Sequence, residues 1–150
     1  MEVDSVRLDT NNLPLVLLRE RNGDRVLPVW IGPAEAVSIN QALEGEEPPR
    51  PMTHDLIRSI LGDLQARVER VLIRAVEGDT FFASLFLDAK GERREIDCRP
   101  SDGIAVALRT KAPIFIHADL LERVARERAA MEEQQREGRV ILDPGSTTIH

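Results

Sequence analysis

The chain has 150 residues, 42% of them hydrophobic, and a formal net charge of −6 at neutral pH. A domain of this length buries about 70% of the surface that its unfolded chain exposes, so one self-sufficient core is expected. The hydrophobic fraction excludes a disordered chain, and the longest apolar runs fall far short of the roughly 20 residues of a membrane span. The acidic charge disfavours non-specific adhesion to nucleic acid, so any such contact must be local.

The single cysteine, the few aromatic residues and the N-terminal segment further limit the classes of protein that fit this sequence. Cys98 is the only cysteine. It has no nearby Cys or His partner for a zinc site, so we expect a small residue within a strand. Aromatic residues make up only 3% of the chain and tyrosine is absent, which argues against a stable binder of single-stranded nucleic acid. No charged-then-apolar leader opens the sequence, which favours a cytoplasmic protein.

The first three predicted elements are strands. Residues 1–9 alternate apolar and charged side chains, and apolar runs follow at residues 15–18 and 26–31. Asn22 and Gly23 lie between these two runs, and both residues tolerate the positive φ of a tight turn. The second and third strands are therefore expected to form a hairpin.

Two helices follow, separated by a connection that its prolines keep irregular. Pro33 suits the first turn of a helix, which is expected to end near Gly45. Residues 46–52 contain three prolines, after which Thr53 is the expected N-cap of a second helix that runs to about Ala66. The expected buried face of this helix is spaced three and four residues apart and consists of Leu56, Ile57, Ile60, Leu61 and Leu64.

The second half of the chain follows a similar plan. Apolar residues 68–76 and 80–87 predict a second hairpin, and residues 93–98 predict another strand. Pro100 then begins a third helix, and residues 113–116 form a short closing strand. The order of strands and helices therefore resembles that of the first half.

The C-terminal segment is helix-forming and highly charged. We divide the chain into a domain of residues 1–117, a helical extension of residues 118–137 and a flexible tail of residues 138–150. Only the first half of the extension carries enough apolar residues to pack well, and Gly138 is expected to end its helix. A short strand is also considered at residues 140–142.

An internal similarity supports a repeated unit. An offset of 67 residues aligns residues 32–39 with residues 99–106, pairing proline with proline and Glu35 with Asp102. Chance similarity over eight positions is the alternative. If the repeat is real, a hairpin-then-helix unit occurs twice, with each carboxylate near a helix N-terminus. We therefore predict an α+β fold whose largely antiparallel sheet is curved or closed into a barrel, with flanking helices and a C-terminal helix.

Three segments carry more polar residues than a scaffold of strands and helices needs: residues 30–35, 49–55 and 97–102. Hydrolysis of nucleic acid requires groups that hold phosphate, a group that activates water, and stabilisation of the charge that develops on oxygen, often by a divalent metal bound to carboxylates. The candidates are Arg50, Arg99 and Arg109 for phosphate, His54 for the base or a ligand, and Glu35, Asp55, Asp97 and Asp102 for a metal.

Each candidate also has a purely structural interpretation. Arg99 and Asp97 could form an ion pair, Arg109 could stabilise the end of its helix, and His54 could be a hydrogen-bonded structural residue. Trp30 is expected in the core or at an interface. No spacing matches a zinc finger, a P-loop or a nucleophile elbow. The positions typical of helix capping are Glu35, Thr53, Asp55, Ser101 and Asp102.

Four ordered motifs resemble one known family. They are LPVWIG followed by EA within residues 27–36, PRPMTHDL at 49–56, TFFA at 80–83, and RPSD with AVALR within 99–109. Together they resemble the bifunctional nuclease domain over about residues 3–116. The resemblance implies an α+β domain, an assembly of at least two subunits, and nuclease activity on DNA and RNA, attributed mainly to plant members. The characteristic polar positions are Glu35, Arg50, His54, Asp55, Arg99, Ser101, Asp102 and Arg109.

We therefore predict a nuclease that acts on DNA, RNA or both. The predicted catalytic residues are His54, Asp55, Asp102 and Glu35. The predicted substrate-binding residues are Arg50, Arg99, Ser101 and Arg109. A divalent cation, Mg²⁺ or Mn²⁺, would be held by Glu35, Asp55 and Asp102. The alternatives are a non-catalytic oligomeric binding or scaffold protein and a sensor of a small ligand. Where the family commonly has alanine this chain has Gly103, which should loosen the helix start by up to about 1 kcal/mol.

Overall fold

Seven strands and four helices make up the part of the chain that the computed structural model describes, which is residues 1–141, with side chains through residue 137. In chain order they are β1 (Glu2–Leu8), β2 (Pro14–Arg19), β3 (Val26–Trp30), α1 (Pro33–Glu44), α2 (Thr53–Asp63), β4 (Ala66–Glu77), β5 (Thr80–Ala89), β6 (Glu92–Cys98), α3 (Pro100–Thr110), β7 (Ile114–Ile116) and α4 (Ala118–Ile141). The predicted α+β class is confirmed.

The strands form two sheets. β1, β2 and β3 form a three-stranded antiparallel sheet. The second sheet has the order β6-β5-β4-β7, in which β7 alone is parallel to its neighbour. We predicted a single sheet, either curved or closed into a barrel. That prediction is wrong, because the strands of the two sheets do not pair with each other. Helices α1 and α3 pack against each other, and each also packs against the strands of its own half.

The predicted repeat exists as a structural unit. Each sheet contributes three consecutive antiparallel strands, and a helix that begins with a proline follows the third of them. These prolines are Pro33 and Pro100, which keep the 67-residue offset seen in the sequence. The repeat therefore places the first turns of α1 and α3 in corresponding positions.

The core consists of aliphatic side chains from both sheets, from α1 and α3, and from the first half of α4. Its largest fully buried members are Leu18, Leu27, Ile39, Ile73 and Ile104. The buried hydrophobic residues of the described chain include no aromatic side chain. Trp30 is 54% exposed, so its interpretation as a core residue is wrong, while a role at an interface stays a prediction.

Helix α2 buries a narrower face than predicted. Ile57 and Leu61 pack against the core, but Leu56, Ile60 and Leu64 are exposed. The spacing of apolar residues gave the correct helix and overestimated the width of its buried stripe. The physical reason is that the main packing partners of α2 are α3 and β4, and these two elements cover one side of the helix.

The ends of α2 also differ slightly from expectation. Thr53 is the first helical residue and Met52 is the N-cap, whose amide donates to the Asp55 carboxylate at 3.0 Å. At the other end the helix stops at Asp63, because Gln65 adopts a positive φ of 57°. The chain can then reverse directly into β4.

The C-terminal helix continues beyond its predicted end. Helix α4 runs through Gly138 to Ile141, so the predicted end of the helix at Gly138 is wrong. Residues 140 and 141, for which a strand was considered, are helical. A single glycine costs about 1 kcal/mol in a helix, which its helix-forming neighbours can offset. Leu120 and Leu121 are buried, whereas the second half is exposed, as predicted. Residues 142–150 lie outside the described part, and the division into domain, extension and tail stays a prediction.

No helix of the described residues is both long and apolar enough to cross a bilayer.

Gly103 allows α3 to pack closely on the second sheet. A Cβ added there would lie 2.9 Å from Val71 Cγ1 and 3.2 Å from Cys98 Sγ. Val71 is fully buried and has one preferred rotamer, so it cannot move aside easily. We expect Gly103→Ala to lower the free energy of unfolding by about 1 kcal/mol, because overpacking outweighs the gain in helix propensity. Urea denaturation measures this change.

The matched control is Gly62→Ala in α2, where an added Cβ meets nothing within 4 Å. That substitution should raise the free energy of unfolding by about 0.5–1 kcal/mol. Equal stabilisation by the two substitutions would contradict the close packing at Gly103.

Candidate functional site

The first turns of three helices supply the carboxylates of the site. Glu35 lies in the first turn of α1, Asp55 in that of α2, and Asp102 in that of α3. A carboxylate in a first turn is favoured by the dipole of its helix. Glu35 also accepts its own backbone amide, and Asp55 accepts the amide of Met52. Because α1 and α2 both pack against α3, these helix starts contribute to one region of the molecule.

A chain of hydrogen bonds joins five side chains of this region. Ser38 Oγ lies 2.6 Å from His54 Nδ1, and His54 Nε2 lies 2.9 Å from Asp102 Oδ1. The Arg99 guanidinium donates from Nε to Asp102 Oδ2 and from Nη2 to Glu35 Oε1, both at 2.8 Å. Arg99 is the N-cap residue of α3, so it links the starts of the two repeated helices.

The chain of hydrogen bonds is open to solvent at one end and closed at the other. The Arg99 side chain is 64% exposed, and Asp102 and Glu35 are partly exposed. His54 is only 5% exposed and Ser38 is also buried. A molecule from solvent can therefore reach Arg99 and the two carboxylates, but it cannot reach the imidazole.

Both ring nitrogens of His54 are engaged. The neutral tautomer that satisfies both contacts donates from Nε2–H to Asp102 and accepts the Ser38 hydroxyl at Nδ1. The role of His54 as a base stays a prediction. The geometry favours an indirect role, in which the imidazole holds the Asp102 carboxylate in position.

Arg109 forms a second, buried centre of polar contacts. Its Nε donates to Asp55 Oδ1 at 2.7 Å, and its Nη1 and Nη2 donate to the carbonyls of Ala105 and Ser38 at 3.0 and 3.1 Å. The Arg109 side chain is 6% exposed and that of Asp55 15%. Binding of substrate by Arg109 stays a prediction, and these contacts favour a role in joining the three helices.

All three carboxylates have lowered pKa values. The Glu35 carboxylate accepts its own backbone amide and the Arg99 guanidinium, and both lower its pKa. Burial alone would raise the pKa of Asp102, but hydrogen bonds from Arg99 and His54 outweigh it. Burial would also raise the pKa of Asp55, but Arg109 and the Met52 amide outweigh it. The three side chains are therefore ionised at neutral pH.

Acid is expected to destabilise the protein through these groups. Since their folded-state pKa values lie below the ordinary ones, 3.8 for Asp55 and Asp102, they contribute stability that is present above about pH 4 and is lost as pH falls through the lowered values. Urea denaturation at a series of pH values from 7 to 3 should show a falling free energy of unfolding. Asp55→Asn should reduce the steepness of this fall, and an unchanged slope would contradict the assignment.

The three predicted metal ligands do not meet. Glu35 and Asp102 accept from different nitrogens of the Arg99 guanidinium, and Asp55 belongs to the separate pair with Arg109. Within residues 1–141 no group of three His, Cys, Asp or Glu side chains is placed to hold a metal ion. In this arrangement the residues do not fit a divalent cation, because the cation between the carboxylates is Arg99.

The remaining predicted residues have separate surroundings. Arg50 is exposed in the connection between α1 and α2, whereas Ser101 is buried in the first turn of α3. The interpretation of Arg99 and Asp97 as an ion pair is wrong, because Asp97 binds Arg74 at 2.7 Å. Cys98 ends β6 as a half-buried strand residue, as predicted, and burial raises the pKa of its thiol to about 11.

Sequence reasoning missed Ser38. Its only signal was its position three residues after Glu35, which places both side chains on one side of α1. Nothing in the sequence indicated that His54, sixteen residues further along the chain, returns to it.

The fold and the site define an α+β domain in which the starts of three helices contribute carboxylates, with a histidine and two arginines bonded to them. A family model described as the bifunctional nuclease domain matches residues 16–129, and the chain belongs to this family. The family expected from the four sequence motifs is therefore confirmed. The match also extends beyond the anticipated end at residue 116 into α4.

Individual relatives agree with this membership. An uncharacterized protein of Mycobacterium tuberculosis is 44% identical over 110 residues, which cover 73% of this chain and 65% of that protein. Bifunctional nuclease 2 of Oryza sativa subsp. japonica is 29% identical over 111 residues, which cover 71% of this chain and 34% of the plant protein. Bifunctional nuclease 1 of Arabidopsis thaliana is 27% identical over 108 residues, with 69% and 33% covered. The chain thus spans about a third of the plant relatives' length.

Proposed function

We propose that this protein hydrolyses phosphodiester bonds of DNA, RNA or both at the exposed end of the hydrogen-bond chain. Family membership supports the proposal, and two plant relatives carry the name bifunctional nuclease. The observation that carries it is the position of Arg99, a 64% exposed cation held between two ionised carboxylates. A fixed, exposed guanidinium suits the recognition of a phosphate group.

The exposed residues have distinct roles in this proposal. Arg99 uses Nε and Nη2 for its carboxylate partners, and its other N–H donors bind phosphate oxygens and stabilise the charge that develops on them. Asp102 accepts a hydrogen bond from the attacking water, since a carboxylate has lone pairs beyond those used by Arg99 and His54. A carboxylate with a lowered pKa is a weak base, so Asp102 acts mainly by orienting the water.

His54 is a positioning residue in this proposal. Its Nε2 bond fixes one oxygen of Asp102, and its Nδ1 bond to Ser38 fixes the ring. A side chain held at both ends keeps Asp102 in one orientation without contacting substrate. This assignment differs from the direct catalytic role expected from the sequence.

The roles given to Arg99, Asp102 and His54 do not involve a divalent cation, which enters only as a component of the assay. Glu35 and Asp102 carry two negative charges beside the one positive charge of Arg99, so a further cation nearby would strengthen phosphate binding. Arg50 in the exposed connection is the candidate from this chain, and Mg²⁺ or Mn²⁺, for which the described residues form no site, is added from solution in the assay. The assay therefore compares magnesium, manganese and a chelator.

The second candidate function is a non-catalytic oligomeric protein. A non-catalytic role is favoured by the pairing of the buried polar groups, since no buried side-chain nitrogen or oxygen among the described residues lacks a hydrogen-bond partner. Under this reading the site only locks the three helices together. It predicts self-association, measured by light scattering after size exclusion, without any hydrolysis.

The experiment measures cleavage of end-labelled single- and double-stranded DNA and RNA by the purified protein and by Arg99→Gln. We expect time-dependent cleavage by the wild type and a large loss in the variant, because glutamine removes the cation and keeps a polar side chain. Equal residual cleavage in both preparations would identify a contaminating nuclease and would reject the proposed function.

A further inference from the structure

A cavity lies directly beside the hydrogen-bond chain and shares Arg99 with it. It has a volume of about 350 Å³ and is formed by the end of β3, the turn between β4 and β5, and the start of α3. Both sheets therefore contribute to it. This volume lies within the range of about 300–1,000 Å³ that is typical of small-ligand sites. We refer to it as the Trp30 cleft.

Trp30 is held in place although it is exposed. Its indole N–H donates to Asp9 Oδ2 at 2.9 Å, while Asp9 Oδ1 accepts the amides of Asn11 and Leu13 at 2.8 and 2.9 Å. The turn after β1 thus fixes the carboxylate, and the carboxylate fixes the indole. A ring that is already immobile loses little conformational entropy when a ligand stacks on it.

The Trp30 cleft combines aromatic side chains with one cation. The chain has four phenylalanines and one tryptophan, and Phe81 and Trp30 both line the cleft. Arg99 is the only lysine or arginine among the residues lining it, and Asp79 is the only acid. An aromatic wall beside a single guanidinium fits a ligand with a flat ring and an anionic group close together. A nucleotide has this combination.

We propose that the Trp30 cleft binds one unpaired base of a single-stranded nucleic acid, stacked on Trp30, with the adjoining phosphate at Arg99. The inference rests on the proposed function, because Arg99 belongs to both sites. A base within a duplex is already stacked and paired, so its face is not available to the indole. The substrate class is therefore single-stranded DNA or RNA.

The small number of aromatic residues is consistent with this mode of binding. A protein that binds a long single strand needs a series of stacking side chains along a basic groove. This chain is acidic overall, and the Trp30 cleft offers a single exposed indole next to an exposed cation. One captured base holds the strand in the cleft, with its adjoining phosphate at Arg99.

Trp30 is the only tryptophan, so its fluorescence reports directly on the cleft. The wild-type chain is titrated with a phosphorothioate-linked oligothymidylate of twelve nucleotides, which keeps the backbone charge and resists hydrolysis, and with the same strand paired to its complement. We expect saturable quenching by the single strand and at least about 10-fold weaker binding of the duplex. Phe115→Leu, which changes an exposed aromatic residue on β7 away from the cleft, should give the same curves.

Trp30 variants provide the second measurement. Trp30→Ala should raise KM for a labelled single strand about 10-fold and leave kcat within about two-fold, and Trp30→Phe should restore most of the loss. Binding of the labelled strand by both variants is followed by fluorescence anisotropy, and urea denaturation shows that they stay folded.

Each outcome separates the inference from the proposed function. Equal affinity for single strand and duplex, or no quenching, overturns the inference. Cleavage that does not depend on Trp30 also overturns it and leaves the proposed function intact. Trp30-dependent binding of the single strand without any cleavage keeps the inference and rejects the nuclease.

Discussion

Replacing Arg109 with methionine is expected to lower the free energy of unfolding by about 3 kcal/mol, because the change breaks a buried ion pair and leaves one partner uncompensated. Arg109 is 6% exposed and Asp55 15%, and the two atoms of the pair are 2.7 Å apart. The substitution also removes donors to the carbonyls of Ala105 and Ser38. Urea denaturation at pH 7 measures the loss.

Two variants test the cause of this loss. Arg123→Met removes an exposed ion pair with Glu127 at 3.1 Å and should change the free energy of unfolding by less than about 0.5 kcal/mol. Asp55→Asn combined with Arg109→Met removes both charges and should recover part of the stability. If Arg109→Met and Arg123→Met had the same small effect, Arg109 would not be the centre that joins the three helices.

Asp102→Asn is expected to lower kcat/KM for nucleic-acid hydrolysis by about 100-fold, because the attacking water loses the carboxylate that orients it. Asparagine keeps the shape of the side chain and loses the charge that holds Arg99 and receives the His54 contact. Initial rates on labelled single-stranded substrate measure the change. The comparison applies to the folded variant, so its denaturation curve is recorded alongside.

The matched control is Asp119→Asn, which changes another carboxylate in the first turn of a helix, α4, far more exposed than Asp102. Its activity should equal that of the wild type. If Asp102→Asn retained wild-type activity, the exposed end of the hydrogen-bond chain would not be the place of hydrolysis. A nuclease reading would then require a different site.

Most residues of the site could be predicted from the sequence one by one, but not the contacts between them. The offset of 67 residues paired Glu35 with Asp102, and both lie in the first turns of α1 and α3. The motif at residues 49–56 contained His54, which completes the link to α3. The partners of charged residues could not be predicted in the same way. The ion pair considered between Arg99 and Asp97 does not form, because Arg99 binds Asp102 and Asp97 binds Arg74.

The local pattern of residues by itself determined the strands, the helices, the repeat and the family, because alternation, helix-starting prolines and ordered motifs act over a few residues of chain. Only the tertiary structure decided that the strands form two sheets, that His54 is buried between Ser38 and Asp102, and that the Trp30 ring is exposed. Each of these depends on which distant surfaces pack together. Burial and hydrogen-bond partners are properties of that packing, and no short stretch of sequence contains them.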